Sequence, residues 1–319
     1  MVDQRKFIVS HAPFWHSGKN VAQRSYGIII AALPAVLAGI YYFGMPALGV
    51  ISLSVSFSIL WELAFNYVAK RPNTIGDGNA ALIGLLFGML LPATAPFWFV
   101  ITGTFVAVVI GKQIYGGIGS NPFNPALVAV AILMLSWKKY FDFDGMLINY
   151  DFDFTPFYPL VALKAFGTSA IESISILDLL LGRQVGGIGA TFGLGLIVGG
   201  LYLIYKGYIR WEIPLSFVAG VFLTSQIFNL AGADRFAGPA FHIFTGYTLI
   251  GAFFLATEDS SSPVNVIPML LYGLGAGILT VLIRNIGMFP DGVVFAILIM
   301  NLVNPLLDKI RPKAIGKVV

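Results

Sequence analysis

The chain has 319 residues, of which 57% are hydrophobic and 11% are charged, with a mean hydropathy of +0.85 and a net charge of +4. Soluble globular domains carry about 25% charged residues, and so few polar side chains could not cover a water-soluble fold of this length. The composition therefore excludes a soluble globular protein and predicts an all-α integral membrane protein. The positive charge is spread over loop ends, which is typical of membrane topology and not of nucleic-acid binding.

The sequence contains no cysteine and three histidines. The lack of cysteine excludes disulfides, thiolate metal sites and iron–sulfur ligation by this chain. The histidines are too few and too dispersed for a metal cluster, so no metal site is expected and redox chemistry would require an organic cofactor. Residues 1–24 are polar and lack a short apolar core with a small-residue cleavage site, so no removable signal peptide is expected.

Apolar stretches divide the chain into about ten candidate transmembrane spans, since crossing about 30 Å of hydrocarbon requires about 20 apolar residues of helix. Several spans are shorter and contain Gly or Pro, which predicts broken or re-entrant elements buried inside the bundle. The predicted spans are 27–44, 47–69, 78–93, 96–114, 123–137, 190–207, 213–231, 238–256, 266–284 and 291–308.

The spans form a first five-helix repeat at 27–137 and a second at 190–308, separated by a polar loop at 138–189. An even number of spans places the N-terminal segment 1–26 and the tail 309–319 on one side of the membrane. That side holds thirteen of the 19 Lys and Arg residues, and positive loops predict the cytoplasmic face. The long loop is then expected on the outer face, where its length and its aromatic residues indicate a functional segment packed on the membrane surface.

A weak internal repeat links the two halves. The third span contains ALIGLLF at 81–87, and the eighth contains TLIGAFF at 248–254. Five spans are an odd number, so the halves would be inserted with opposite orientation, as in the inverted repeats of many transporters. Such short matches also arise easily in apolar helices, and this alternative stays open.

The most informative segment is 111–126, which reads GKQIYGGIGSNPFNPA. Glycines permit positive φ and close backbone approach, prolines end helical paths, and asparagine amides can satisfy the freed backbone groups. Between two apolar spans this pattern predicts a broken-helix or re-entrant element that lines a site; an ordinary cytoplasmic loop is the alternative. The candidates for lining a cofactor site or an ion path are Lys112, Gly116, Gly117, Asn121 and Asn124.

The counterpart in the second half is 256–265, ATEDSSSPVN, which also follows an apolar span and ends in Pro and Asn. Its adjacent acids, Glu258 and Asp259, lie near a predicted membrane boundary, where ionisable side chains indicate function. We interpret them as candidates for the ion path. A helix-end cap for the next span is the alternative.

Asp77 and Asn79 lie at the start of the third predicted span and are also candidates for the ion path. Capping of the helix is again the alternative, because Asp and Asn are strong N-caps. His242 lies on an apolar span. A hydrogen bond from its side chain to a neighbouring helix is expected more often there than metal ligation.

The segment 111–126 resembles the signature of the family that contains the D subunits of Rnf complexes and the B subunits of sodium-pumping NADH:quinone oxidoreductases. The resemblance covers nearly the whole chain. The Rnf branch is expected because the long N-terminal extension of the quinone oxidoreductase subunits is missing. Further matching motifs are DGNAAL at 77–82, IRWEIPLSF at 209–217, GAFF at 251–254 and FPDGV at 289–293.

The resemblance implies a ten-span subunit of a complex in the bacterial or archaeal cytoplasmic (inner) membrane. Such complexes transfer electrons between reduced ferredoxin and NAD and couple the transfer to translocation of Na⁺ or H⁺. The implied partners are membrane lipid and other Rnf-type subunits, including those that carry flavins and iron–sulfur clusters. The chain would be an electron relay within an oxidoreductase (translocase), not catalytic alone; a passive channel or secondary transporter for a small solute is the alternative.

The resemblance also implies bound FMN, typically joined through its phosphate to a Thr in a Ser/Thr-x-Ala-Thr-Pro-Leu-like motif of the outer loop. Here Thr168 and Ser169 match the start of the motif, and Ile171 occupies the position of the acceptor Thr. Isoleucine has no hydroxyl and cannot form a phosphoester. FMN is therefore expected to bind without the usual linkage; attachment through Thr168 or Ser169, or loss of the flavin, are the alternatives.

Overall fold

A computed structural model describes residues 20–141, 157–172 and 174–310. Within these ranges the chain is helical and contains no β-strand, which confirms the predicted all-α class. Most of the predicted N-terminal segment, the acidic run 142–156 and the tail from 311 lie outside the described residues. The helices are α1 (Val21–Val68), α2 (Asn79–Leu90), α3 (Phe97–Phe105), α4 (Pro125–Ser136), α5 (Pro159–Phe166), α6 (Ile176–Leu180), α7 (Gly193–Lys206), α8 (Glu212–Ala231), α9 (Pro239–Phe244), α10 (Thr248–Ile250), α11 (Val266–Asn285) and α12 (Val293–Leu307).

The apolar helices and the apolar outer surface belong to a multi-pass membrane protein. Four helical segments are long and apolar enough to cross a membrane: Val21–Val68, Phe97–Tyr115, Glu212–Ala231 and Val266–Asn285. Leu230 is 78% exposed, and lipid tails solvate such side chains where water would not. The helices overlap the predicted spans, while the number of spans that cross the membrane stays a prediction.

Helix α1 contains the first two predicted spans, and Gly44 separates them. Gly44 has φ 65° and ψ −152°, a backbone conformation that is essentially restricted to glycine. Pro46 follows two residues later and has no N–H group to continue the hydrogen-bond ladder across the break. The kink therefore lies where the sequence predicted the boundary between 27–44 and 47–69.

Helix α2, in the third predicted span, ends inside the protein. Its 12 residues extend about 18 Å, less than the roughly 30 Å of a hydrocarbon core. The carbonyl groups at its C-terminal end accept hydrogen bonds from the N–H groups of Ile188 (3.0 Å) and Gly189 (2.9 Å) and from the Tyr247 hydroxyl (2.8 Å). These partners replace water, which the hydrocarbon region cannot supply.

Two of these three partners of α2, Ile188 and Gly189, come from the end of the predicted outer loop 138–189. Ile188 has no exposed surface, and the residues around it are also buried. The sequence predicts this stretch as part of the long polar loop on the outer face. The structure instead packs it into the bundle, where its free N–H groups meet the free carbonyl groups of a broken helix.

The eighth predicted span is also broken. Helix α9 ends at Phe244, and the chain resumes a helical path in α10, which continues as a π-helical turn at Gly251–Leu255. The side chains of Gln184 and Arg284 donate hydrogen bonds to carbonyl groups of α9, at 2.9 and 2.7 Å. Short third helices in both halves are what an internal repeat with broken helices predicts; the inverted orientation stays a prediction.

Candidate functional site

The segment 111–126 contributes polar side chains to the interior of the bundle. It forms a 3₁₀ turn at Gln113–Tyr115 and an irregular stretch that ends where α4 begins. The buried polar side chains are Lys112, Gln113, Asn121 and Asn124. A solvated cytoplasmic loop would expose these side chains, so their burial favours the predicted element that lines a site.

The segments 111–126 and 256–265 contact each other. The Asn121 amide donates to a Glu258 carboxylate oxygen at 3.2 Å. The other Glu258 oxygen accepts hydrogen bonds from the N–H group and the hydroxyl of Ser261, at 2.9 and 2.6 Å. Glu258 therefore closes its own turn and does not cap α11, which begins at Val266.

Asn124 combines a structural role with its place at the candidate site. Its side-chain oxygen caps α4 by accepting from the N–H groups of Ala126 (3.0 Å) and Leu127 (3.2 Å). Its amide donates to the Leu255 carbonyl at 2.9 Å, and its own N–H group donates to Asn301 at 3.3 Å. Asn124 thus ties α4 to the π-helical turn and to α12.

Lys112 forms a buried ion pair with Glu62 of α1, with nitrogen–oxygen distances of 3.0 and 3.1 Å. Glu62 is fully buried and also accepts a hydrogen bond from the Thr74 hydroxyl at 2.6 Å. Glu62 was not among the residues predicted from the sequence. The sequence could have identified Glu62, because a single carboxylate within an apolar span is a functional candidate by default.

Asp77 and Asn79 lie beside this ion pair. An Asp77 oxygen accepts from the Asn79 N–H group at 2.8 Å, which orders the start of α2, but the N-cap residue is Gly78 and neither Asp77 nor Asn79 takes the predicted N-cap position. Burial raises the pKa of Asp77 above its ordinary value, while the hydrogen bond from Asn79 and the charge of Lys112 oppose the increase. Asn79 faces two adjoining cavities.

The two cavities are polar in part and share Asn79 and Glu258 in their walls. One, of about 40 Å³, also contains Lys112, Asn121 and Asn124. The other, of about 450 Å³, is lined by Asp259 and Arg24, which form an ion pair. Gly116 and Gly117 line neither cavity; with φ of 123° and 105° they set the path of the loop.

The turn Thr168–Ile171, which contains the candidate flavin-site residues of the loop, forms a short 3₁₀ helix. The Thr168 N–H group and hydroxyl both donate to the Asp234 carbonyl, at 3.1 and 2.8 Å. The Ser169 hydroxyl donates to the Phe166 carbonyl at 3.2 Å. Ile171 packs against an apolar cluster of Leu160, Leu163, Leu179, Ala237 and Phe241. The structure does not bring this turn and the segment 111–126 into one cavity.

An aromatic cavity of about 530 Å³ lies between the end of α4, helix α5 and the segment after α11. Its size is within the range of small-molecule and cofactor sites, roughly 300–1,000 Å³. Within the described part of the chain, the carboxylate in its wall is that of Asp291. The aromatic and basic side chains that line it are Phe141, Tyr158, Tyr247, Phe289, Lys138 and Lys139.

A cationic cavity of about 220 Å³ lies next to the aromatic cavity. Its polar lining residues are Lys164, Arg235, His242, Arg284 and Asn285. The Lys164 ammonium donates to the carbonyl groups of Gly287, at the cationic cavity, and of Phe289, at the aromatic cavity. Lys164 therefore lies between the two. Burial lowers its pKa, and repulsion from Lys138 lowers it further.

Arg284 and Asp291 form a second buried ion pair, at 3.0 Å, between the two cavities. The Arg284 guanidinium also donates to the Thr245 carbonyl and the Thr248 hydroxyl, at 3.1 and 2.8 Å. Asp291 accepts from the Tyr247 N–H group at 2.6 Å. The pair is thus saturated with hydrogen bonds, and the charge of Arg284 is neutralised locally.

The prediction that the His242 side chain hydrogen-bonds a neighbouring helix is wrong. The side chain is fully buried, and neither ring nitrogen has a hydrogen-bond partner among the described residues. The hydrogen bonds that link His242 to Arg284 and Thr248 run through its carbonyl group, which accepts from both side chains. The sequence could not show that the imidazole faces a cavity, because this depends on the break between α9 and α10.

The model of the NQR2, RnfD, RnfE family matches residues 8–316 of the chain. The chain belongs to this family. It is 36% identical over 317 residues to the D subunit of the Na⁺-translocating ferredoxin:NAD⁺ oxidoreductase complex of Acetobacterium woodii, covering 98% of this chain and 96% of the relative. It is 37% identical over 310 residues to the D subunit of the proton-translocating ferredoxin:NAD⁺ oxidoreductase complex of Clostridium ljungdahlii, covering 95% and 94%.

A third relative is the D subunit of the ion-translocating oxidoreductase complex of Aliivibrio salmonicida, at 32% identity over 346 residues and coverage of 97% and 98%. The family expected from the segment 111–126 is therefore confirmed. Two relatives of nearly equal identity are named for different ions. Similarity to the NQR2, RnfD, RnfE family consequently leaves the ion of this member open.

Proposed function

We propose that this chain is the membrane electron-relay subunit of an Rnf-type complex that couples ferredoxin:NAD electron transfer to Na⁺ or H⁺ translocation. The observation that carries the proposal is the near full-length similarity to complex D subunits with that activity in their names. The complex lies in a bacterial or archaeal inner membrane, with both termini of this chain in the cytoplasm and other Rnf-type subunits as partners.

The proposed cofactor is FMN held without a covalent link. Ile171 offers no hydroxyl for a phosphoester, and its side chain completes an apolar cluster. The aromatic cavity fits a flavin ring: it is large enough, and its walls include Phe141, Tyr158 and Phe289. Flat aromatic side chains stack favourably on other aromatic rings, which supports this cavity as the ring site.

FMN supplies one- and two-electron transfer when it is bound, and the protein supplies orientation and electrostatics. The aromatic side chains exclude water from the ring site. Lys138 and Lys139 provide positive charge at its rim, where both side chains are exposed. The two ammonium groups would offset part of the negative charge that a ring held beside them gains on reduction, to an extent that solvent reduces at an exposed rim.

The proposed ion path is the polar region between 111–126 and 256–265. Carboxylate and amide groups of Glu258, Asn121 and Asn79 line its cavities. The Glu62–Lys112 pair and Asp77 lie next to them. Oxygen ligands suit a hard cation such as Na⁺, and the carboxylates suit a proton. A shift of the broken elements in response to electron transfer would couple the two processes.

Purification of the complex tests the relay and its cofactor together. We expect a flavin absorption spectrum in the native complex and co-purification of redox subunits. On a denaturing gel, the band of this chain should show no flavin fluorescence, because the flavin is not covalently bound. A fluorescent band at this mass would disprove the non-covalent mode, and a colourless chain that conducts a solute alone would disprove the relay.

A further inference from the structure

The cationic cavity has an excess of positive charge. Arg284 is neutralised by Asp291, but Lys164 and Arg235 form no ion pair with any described residue. Among the residues that the structure describes, the lining includes no Asp or Glu. The Arg235 guanidinium lies 5.4 Å from the centre of the Phe236 ring, which holds it at the cavity wall. An anion would supply the missing counter-charge.

Two unsatisfied polar groups point to the same conclusion. His242 is fully buried with both ring nitrogens unpartnered, and the Asn285 side-chain nitrogen is also buried without a partner. Buried polar groups in proteins are almost always hydrogen-bonded, and an exception calls for an explanation. Neutral imidazole provides one donor and the Asn amide provides two. These donors and the two cations surround one cavity, and an oxyanion would satisfy them together.

The size of the cationic cavity limits the ligand. At about 220 Å³ it is smaller than the roughly 300 Å³ at which cofactor pockets begin. It therefore suits a compact group such as a phosphate and not a whole flavin. The C-terminal end of α11 lies here, and its dipole opposes an anion. Lys164 offsets this effect by donating to the carbonyl groups beyond α11.

The cationic cavity also adjoins the turn Thr168–Ile171. Thr168 donates twice to the Asp234 carbonyl, and Arg235 is the next residue. Ile171 packs in the same cluster as Leu160 and Leu163, which line the cavity. The position without an acceptor hydroxyl and the unpartnered donors are therefore neighbours in the fold.

We propose that the cationic cavity is a phosphomonoester site, which holds the phosphate of non-covalently bound FMN through Lys164, Arg235, His242 and Asn285. The site replaces the phosphoester that Ile171 precludes. This inference rests on the proposed function for its flavin. The same chemistry could come from free phosphate or from an anionic lipid headgroup, and titrations with each ligand separate these sources.

The test compares FMN with riboflavin, which lacks the phosphate. The full chain is placed in phosphatidylcholine nanodiscs, freed of flavin, and titrated with each compound. FMN should bind at least about tenfold more tightly than riboflavin, and inorganic phosphate should compete with FMN alone. Arg235→Met and Lys164→Met should each weaken FMN binding by about tenfold, since hydrogen bonds to charged groups are worth about that factor. Riboflavin binding should not change.

Two further variants sharpen the test. His242→Gln keeps a donor and should retain FMN, whereas His242→Leu should lose the preference for FMN. Lys309→Met removes an exposed positive charge at the end of α12 and serves as the matched control. Arg235 is exposed, so its variant reports on the site even if a buried variant fails to fold.

Equal affinity for FMN and riboflavin in the unmodified chain would overturn the phosphate site and leave the flavin proposal intact. Binding of neither flavin would contradict the proposed cofactor. In that case a thermal shift with inorganic phosphate, or with nanodiscs that contain phosphatidic acid, would support the anion site with that ligand if Arg235→Met abolishes it. The lack of any such shift would overturn the site itself.

Discussion

Glu62 and Lys112 are both almost fully buried in an apolar bundle, and each is stable there because of the other. Removing two charges from water is expensive, and the cost is recovered only through close contact and additional hydrogen bonds. The Glu62 carboxylate meets this condition, because it accepts from the Lys112 ammonium and from the Thr74 hydroxyl. At the scale of single residues, this pair therefore depends on both of its members.

We expect Glu62→Gln to destabilise the protein by about 3–5 kcal/mol, because it leaves the Lys112 ammonium buried without its counter-charge. Lys112→Met should have a comparable effect through the unpaired carboxylate. The double variant should recover most of the lost stability, since it leaves no unpaired charge. Thermal unfolding in detergent, followed by size-exclusion chromatography, measures all three.

Transport in the same variants separates stability from function. A double variant that folds but no longer couples electron transfer to ion movement would place the pair in the ion path. If the double variant is as unstable as the two single effects combined, the two charges are not coupled as the structure shows.

At the scale of helices, α8 and α11 approach each other through glycines. A Cβ atom on Gly277 would collide with the Phe217 carbonyl, and one on Gly220 would lie 2.5 Å from the Leu274 carbonyl. Helices in membranes gain little from hydrophobic association, so close backbone packing at small residues holds them together. Glycine at these two positions thus sets the distance between the helices.

We expect Gly277→Ala to lower the thermal stability. Replacing a helical Gly by Ala favours the helix by about 0.5–1 kcal/mol, but overpacking typically costs about 1–3 kcal/mol, and the second effect dominates here. Gly49→Ala is the matched control, because a Cβ atom there meets no atom within 4 Å. Equal melting temperatures for the two variants would show that α8 and α11 are not in close contact.

The sequence indicated that some helices are broken, but it did not show which groups satisfy the hydrogen bonds of the broken ends. The short third span and the Gly and Pro residues of the chain indicated that some helices would not cross the membrane. The partners of their free carbonyl groups were not predictable, because Ile188, Gln184 and Arg284 are distant in sequence from the carbonyl groups that they contact. A pattern of residues records that a backbone group needs a partner, but not which segment supplies it.

At the scale of the whole molecule, the distribution of charge predicts the orientation in the membrane. The side predicted to contain both termini holds thirteen of the 19 Lys and Arg residues, and such an excess marks the cytoplasmic face. The natural chain contains no cysteine. A single introduced cysteine is therefore a clean reporter of the side on which it lies.

We expect Glu172→Cys, in the loop 138–189, to react with a membrane-impermeant maleimide on spheroplasts. Lys309→Cys should react only after the membrane is opened. Both side chains are exposed, so a difference in labelling reports the side of the membrane and not burial, and the unmodified chain gives the background. The reverse pattern would overturn the predicted orientation and place the proposed flavin site on the cytoplasmic face.

The sequence by itself determined that lipid surrounds this protein, that its fold is helical and that it belongs to its family. Composition decides whether lipid or water surrounds a fold, and long motifs such as the one at 111–126 are specific without any geometry. The sequence also showed that Ile171 cannot carry a phosphoester, since this follows from the side chain alone. Tertiary structure decided which distant groups meet: Glu62 with Lys112, and His242 with Lys164 and Arg235 around one cavity. Charge pairing and cavity walls depend on distances between helices, and those distances are fixed only when the bundle packs.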